Sequence, residues 1–405
     1  MGAINGMWFG LLLIAAGLLL INDEKVYPGT WALLPTLGTT LVIAAGYDAW
    51  FNRNILANSW LVWVGLISYP LYLWHWPLLA FAHIQVGGDL TISMRIALVI
   101  LSIILAWLTY VLIEKPIRYG AMSNQIVWCL LLLMLLMGIL GYDLNSMSWN
   151  ASRYPQVVLQ LSNYNYNHYK GLREESCLLW AMQNFKQFKN CGTMKNEPKK
   201  TILIWGDSHA AALYAGYKLA YGKQFNIAQR TSVSCPPIIG LDKFDNKYCQ
   251  ATNDHIYADI KRDHPYRVIL AARWGMYPWE DIAITIKKLK QVGVSHIDLI
   301  GPVPEWYFSL PHQLSWYTIE HKLSSLPTRM SYGLNDQFLT LDLNMKQRAK
   351  ELGVNYISIT RIMCTSDGCI TRIGNAMDDL VTWDYGHLTA QGSIYAVSLF
   401  PQSNK

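Results

Sequence analysis

The chain has 405 residues, 52% of them hydrophobic and 15% charged, with a formal net charge of +6. It is too apolar for an ordinary soluble enzyme, and no dense Lys/Arg cluster with interleaved aromatics marks a nucleic-acid surface. Charged residues are sparse before residue 145 and reach globular density after it, so a membrane half is expected first and a water-soluble half second.

In chain order, five apolar segments come first, near residues 5–21, 31–50, 60–84, 92–113 and 126–144. Each can cross a bilayer, which takes roughly 17–25 mostly apolar residues. The first has neither a basic n-region nor a small-residue cleavage site, so it does not read as a cleaved signal. The second and fourth connections carry Arg53, Lys115 and Arg118, whereas the first has Lys25 beside Asp23 and Glu24. The positive-inside tendency then puts the N-terminus in the cytoplasm and, after five crossings, the C-terminal half outside. His75 lies within the third segment, between Trp74 and Trp76 and before Pro77. An ionisable group in a span points to function; the alternative is an interfacial aromatic belt with Tyr69 and Tyr72. Glu114, Lys115 and Arg118, at a cytoplasmic helix end, either anchor the span or contact a charged donor.

Cys129 falls in the fifth apolar segment, and the other six cysteines form local pairs in the second half: Cys177 with Cys191, Cys235 with Cys249, Cys364 with Cys369. Close pairs on the outer side suit disulfides in an oxidising compartment, although six cysteines allow fifteen connectivities. No CxxC or Cys/His ligand spacing appears, so no metal site is expected.

The second half contains short apolar runs at 201–206, 225–231, 266–273, 296–303 and 355–360, separated by amphipathic or polar stretches. Strands apolar on both faces, alternating with helices, predict an α/β domain with a parallel sheet flanked by helices. Ligand sites in such folds lie beyond the carboxyl ends of the strands, which is where Ser208 follows TILIWGD. Asp207 or Ser208 could simply cap the helix beginning HAAAL. A nucleophilic serine needs a base, a group that orients the base, and oxyanion donors. VTWDYGHLTAQGS, residues 381–393, supplies Asp384 and His387 three positions apart. A local cap-and-turn role is again the alternative for that pair. Among the exposed-half aromatics, Trp274, Tyr277, Trp279 and Trp306 could stack on a sugar or pack into the core.

Taken together, GDSH after a strand and DYGH before the last helix make the second half resemble an SGNH hydrolase domain. GLISYPLYLWHWPLLAF (65–81) and VLIEKPIRYG (111–120) resemble the end of the acyltransferase-3 family of multi-span proteins. The combination is similar to fused acyltransferase-3/SGNH proteins that O-acylate bacterial surface polysaccharides. The resemblance implies Ser208 as nucleophile, His387 as general base, Asp384 as its orienting partner, and the Ser208 backbone N–H in the oxyanion hole. It implies no bound cofactor, with acetyl-CoA or another acyl-CoA as donor, a cell-envelope glycan as acceptor, and an inner-membrane, multi-pass location with the C-terminal domain periplasmic or extracellular.

The sequence departs from that family in three places. An Asn block is expected after the third strand, where the chain reads AARWG; Arg273, with Trp274 beside it, is the candidate to take over there or to bind an acidic sugar group. The glycine of the second block is replaced by Ser234 in TSVSCPP. Finally, the family has about ten spans, and nothing before residue 60 resembles its early His/Arg motifs. Residues 1–145 therefore read as the C-terminal part of the membrane domain, 146–200 as a linker and start of the outer domain, and 201–405 as the SGNH-like domain. A truncated gene, a fragment or a chain requiring a partner membrane protein is expected. An O-acyltransferase, a membrane-anchored carbohydrate esterase and an inactive remnant stay open at this level.

Overall fold

Every residue of Thr201–Gly206 is buried, and the strand sends alternate side chains to two separate cores. Ile202 and Ile204 enter one; Leu203 and Trp205 enter the other. A strand apolar on both faces can be satisfied only inside a sheet covered on both sides, and that is the fold of the second half. In the computed structural model, which describes residues 2–21, 29–86, 90–120, 124–145, 154–241 and 246–401, the chain divides into two units, Met1–Asp143 and Leu144–Lys405.

The second unit is built on six strands, β1 (Leu178–Leu179), β2 (Thr201–Gly206), β3 (Asn226–Ser232), β4 (Arg267–Ala271), β5 (His296–Ile300) and β6 (Asn355–Ile357). Their order is β1-β3-β2-β4-β5-β6, and all pairs are parallel. The five apolar runs are β2 to β6. β1 escapes the sequence pattern because two residues carry no periodicity; it joins the sheet ahead of residue 201. From β2 the chain moves to β3 on one side, and then crosses to β4 on the other. The crevice at the carboxyl end of β2 is therefore the topological switch point, where such sheets bind ligands.

Glycine is required where β2 ends. Gly206 has φ +154, and a Cβ there would collide with the carbonyl oxygen of Ala271 at the end of β4. The two strand ends approach closely because no side chain stands between them. The cysteines pair as Cys177–Cys191, Cys235–Cys249 and Cys364–Cys369. The last bond closes a hairpin in which the two cysteines face each other in register.

The first unit is helical, with Gly2–Leu20, Leu33–Ala44, Ser59–Val86, Ile92–Thr109 and Asn124–Asn145 following the five apolar segments. Among the described residues, the stretches Ile92–Tyr119 and Gln125–Leu144 are long and apolar enough to cross a membrane, while Gly6–Leu20 and Thr30–Ala44 are shorter. The second segment differs from the expected 31–50 because its helix ends at Ala44 and the chain turns at Gly46, φ +74. Ser59–Val86 is 28 residues long but holds Pro70 and Pro77, and its tryptophan, tyrosine and histidine rings dilute its apolar character. Gly10 and Gly38 bring two of the helices together backbone to backbone, the close approach small residues permit. Lys25, Asp23 and Glu24, the first connection's share of the orientation argument, lie outside the described residues.

Gly206→Ala should destabilise the second unit by on the order of 3 kcal/mol, since it adds both backbone strain and a steric clash. The check is a lowered unfolding temperature of the full chain in detergent; an unchanged temperature would mean the two strand ends can separate freely.

Candidate active site

Asp207 follows β2 directly and caps the helix Ser208–Ala212. Its Oδ1 accepts from the His209 N–H at 2.8 Å, satisfying one of the donors that a helix start leaves open. Oδ2 reaches across to β4, accepting from the Arg273 N–H at 2.9 Å and the Tyr277 hydroxyl at 3.0 Å. The carboxyl is 1% exposed. Burial raises its pKa, and the Arg273, His209 and Tyr277 hydrogen bonds oppose that rise without cancelling it. With Asp207 as the cap, the Ser208 side chain is left for other work.

That side chain meets the C-terminal loop. His387 Nε2 lies 2.8 Å from Ser208 Oγ, and His387 Nδ1 lies 2.6 Å from Asp384 Oδ2. The other carboxylate oxygen, Oδ1, accepts from the N–H groups of Gly386 at 3.0 Å and His387 at 2.7 Å, a local turn that fixes the carboxylate relative to the ring it orients. Burial pushes the Asp384 pKa up; the hydrogen bond from His387, the imidazole charge and the two backbone N–H groups outweigh it, and the net shift is downward. Asp384 is therefore a carboxylate through the neutral range. The turn itself is anchored from outside, since Leu310 donates to the Asp384 carbonyl at 3.0 Å and Trp306 to the Tyr385 carbonyl at 2.8 Å.

A cavity of about 110 Å³ opens beside Ser208, lined by Asp207, His209, Ser234, Arg273, Met276, Tyr277 and Tyr385. Ser234 has φ +52, the left-handed conformation that glycine adopts most easily. The position expected to be glycine thus keeps the backbone form of glycine. Neither the Ser208 nor the Ser234 N–H donates to another described residue, so both are available to an oxyanion. Arg273 also lines the cavity, with its guanidinium engaged: it donates to both Glu305 carboxylate oxygens, at 3.0 and 2.8 Å, and lies 4.0 Å over the Tyr385 ring.

Trp274 is a correction. Its side chain is fully buried and donates to the Ile300 carbonyl at 2.7 Å, so it is a core residue and not a substrate contact. Trp306, 3% exposed, is likewise buried. Both tryptophans follow strands whose inner faces need large apolar groups. His75 Nδ1 lies 3.1 Å from the Leu71 carbonyl, within its own helix, and Glu114 pairs with Arg118 at 3.3 Å across one helical turn. These first-unit residues form local contacts within their helices.

Sequence reasoning passed over His209, Tyr385 and Glu305. His209 is 4% exposed and its ring centroid lies 4.2 Å from that of His387. Burial lowers its pKa well below the usual value, reinforced by His387 and Arg273. It is thus a neutral ring that adds no charge beside the base. The signals were the histidine of GDSH, the tyrosine inside DYGH and the last residue of GPVPE.

The model of the SGNH domain fused to AT3 (acyltransferase-3) domains matches residues 176–402, more than half of the chain. The chain belongs to this family. Among solved structures, the chain is similar to the periplasmic domain of a lipopolysaccharide acetyltransferase from Salmonella ser. Paratyphi A. The TM-score is 0.51 at 31% identity, over 59% of this chain and 94% of that domain. It is 33% identical over 102 residues to a Staphylococcus aureus (strain COL) protein named as an O-acetyltransferase, and 28% identical over 98 residues to the O-acetyltransferase OatA of S. aureus (strain NCTC 8325 / PS 47). Each match covers 24% of this chain, and 17% and 16% of those proteins respectively; the chain spans only a small part of these curated relatives.

Asp384→Asn should slow labelling of Ser208 by a fluorophosphonate about 10³–10⁴-fold, because an amide favours the wrong imidazole tautomer. The same variant tests the lowered pKa. A depressed folded-state value contributes stability that is complete above the ordinary carboxylate value of 3.8 and is lost as pH falls through the folded value. Wild type should therefore gain unfolding temperature over Asp384→Asn as pH rises through that window, with a constant difference above it. A difference independent of pH would overturn the assignment.

Proposed function

We propose that this chain is part of a membrane O-acyltransferase, using acetyl groups, that modifies hydroxyls of a bacterial cell-surface polysaccharide. The observation that carries the reading is the 2.8 Å contact between Ser208 Oγ and His387 Nε2, in a chain whose relatives are named as O-acetyltransferases. Ser208 is the nucleophile. As Oγ attacks the acyl carbonyl carbon, its proton passes to His387 Nε2, and Asp384 stabilises the imidazolium while remaining a carboxylate. The N–H groups of Ser208 and Ser234 receive the developing oxyanion. Collapse of that tetrahedral species expels the leaving group with the proton from His387 and leaves acetyl-Ser208. A sugar hydroxyl then gives its proton to His387, attacks the ester carbonyl and departs as the acetylated product, and Ser208 recovers its proton.

The five apolar helices of the first unit are read as membrane spans, with the second unit outside. Two of them are long and apolar enough by themselves, and the Salmonella domain that this chain resembles is described as periplasmic. An acyl-CoA on the cytoplasmic side supplies the acetyl group in this reading. The acceptor is a cell-envelope glycan, in line with the lipopolysaccharide named for that relative.

The test uses the full chain in nanodiscs with p-nitrophenyl acetate as donor and a de-O-acetylated surface polysaccharide as acceptor. Ester carbons on the sugar, detected by NMR and absent in Ser208→Ala and His387→Ala, are the expected result. Acetate released to water alone would instead identify an esterase, and wild type no faster than Ser208→Ala would overturn both readings.

A further inference from the structure

Two hydrogen bonds hold the His387 ring, one at each nitrogen, to Asp384 at 2.6 Å and to Ser208 at 2.8 Å. Bonds of this kind fix where the ring points, yet they resist rotation about the line joining them only weakly. A flat surface against the ring face supplies what they lack. Trp383 provides it: its ring lies 19° from parallel to His387, with centroids 5.5 Å apart. Trp383 is itself stacked on by two further rings. His168 lies 12° from parallel at 4.8 Å, and Tyr166 lies 20° from parallel at 6.3 Å.

The outer rings are tied down separately. His168 Nδ1 pairs with Glu174, whose side chain is 3% exposed. The Tyr166 hydroxyl accepts from the Ala390 N–H at 2.7 Å, at the start of the final helix. Residues 166–174 thus form a clamp across the DYGH turn. This clamp precedes residue 176, where the family match begins, and none of its rings lines the cavity beside Ser208.

We infer that Trp383 and His168 are positioning residues for His387, and that the catalytic unit begins at Tyr166, ahead of the recognised domain. The inference rests on the triad reading above. Because the clamp lies outside the cavity, its loss should act on the reactivity of Ser208 and leave the binding of small esters unchanged.

The experiment measures fluorophosphonate labelling of Ser208 in the full chain in nanodiscs. It compares wild type with Trp383→Leu, Trp383→Phe, His168→Ala and His168→Phe, alongside unfolding temperatures. Trp383→Leu should label about tenfold more slowly and His168→Ala about threefold more slowly, as expected when a base is misplaced by a fraction of an ångström. In each case the phenylalanine variant should recover most of the rate, and KM for p-nitrophenyl acetate should stay within about twofold. Rates for folded Trp383→Leu and His168→Ala equal to wild type, or phenylalanine variants as slow as the truncations, would overturn the inference. If Trp383→Leu does not fold, the partly exposed His168 carries the comparison alone.

A second readout is independent of any reactivity at Ser208. The proton shared by His387 Nδ1 and Asp384 gives a low-field NMR resonance, absent in Asp384→Asn, that should broaden or move in His168→Ala. If wild-type Ser208 is not labelled at all, the triad reading fails and this resonance still judges the clamp: an unchanged signal in His168→Ala overturns it.

Discussion

The buried carboxylate of Asp207 holds together the two strand ends on which the site is built. It receives the N–H of His209 from the helix after β2, together with the N–H of Arg273 and the hydroxyl of Tyr277 from beyond β4. With no ion pair to it among the described residues, such a group is tolerated because three donors converge on its two oxygens. The geometry that results is narrow. Gly206 lets the strand ends meet, Asp207 fastens them, and Ser208 is left at the switch point of the sheet with its hydroxyl free for the base.

The other half of the site is fastened from a different direction. The loop beyond β5 delivers Glu305 to Arg273, and it delivers the N–H groups of Trp306 and Leu310 to the carbonyls of the DYGH turn. Arg273 in turn lies over Tyr385. A guanidinium spent in this way links β4, the β5 exit and the turn carrying the base. This explains why an arginine can occupy the region where an asparagine was expected. It secures the wall of the cavity through Glu305 and Tyr385. His209, neutral through burial, fills the space beside His387 without competing for its proton.

The first unit follows a different logic. Its helices expose large apolar side chains over most of their length, and several polar groups there bond within one turn, as with His75 and Leu71 or Arg118 and Glu114, while Trp74 reaches Thr109 on the following helix at 2.9 Å. A helix supplies its own backbone partners, which is what a low-dielectric surrounding requires. The sheet of the second unit instead depends on partners far apart in sequence.

That difference also separates what could be read from the chain. Runs such as TILIWG and RVILA announced themselves because a strand buried on both faces must be apolar at every position, and the residue types of GDSH and DYGH singled out Ser208, Asp384 and His387, which the fold brings within hydrogen-bond distance of one another. The cysteine pairs were legible because each bond closes a short loop. The two-residue strand β1, the neutrality of His209, the engagement of Arg273 by Glu305 and the burial of Trp274 were not legible. Each depends on which segments the sheet places side by side. The sequence by itself determined which residue types stand in GDSH and DYGH, since serine, histidine and aspartate are the side chains that a nucleophile, a base and an orienting acid would need. Only the tertiary structure decided that residues 179 positions apart meet at 2.8 Å, because the order of the strands, and not their sequence, sets which loops share the rim of the sheet.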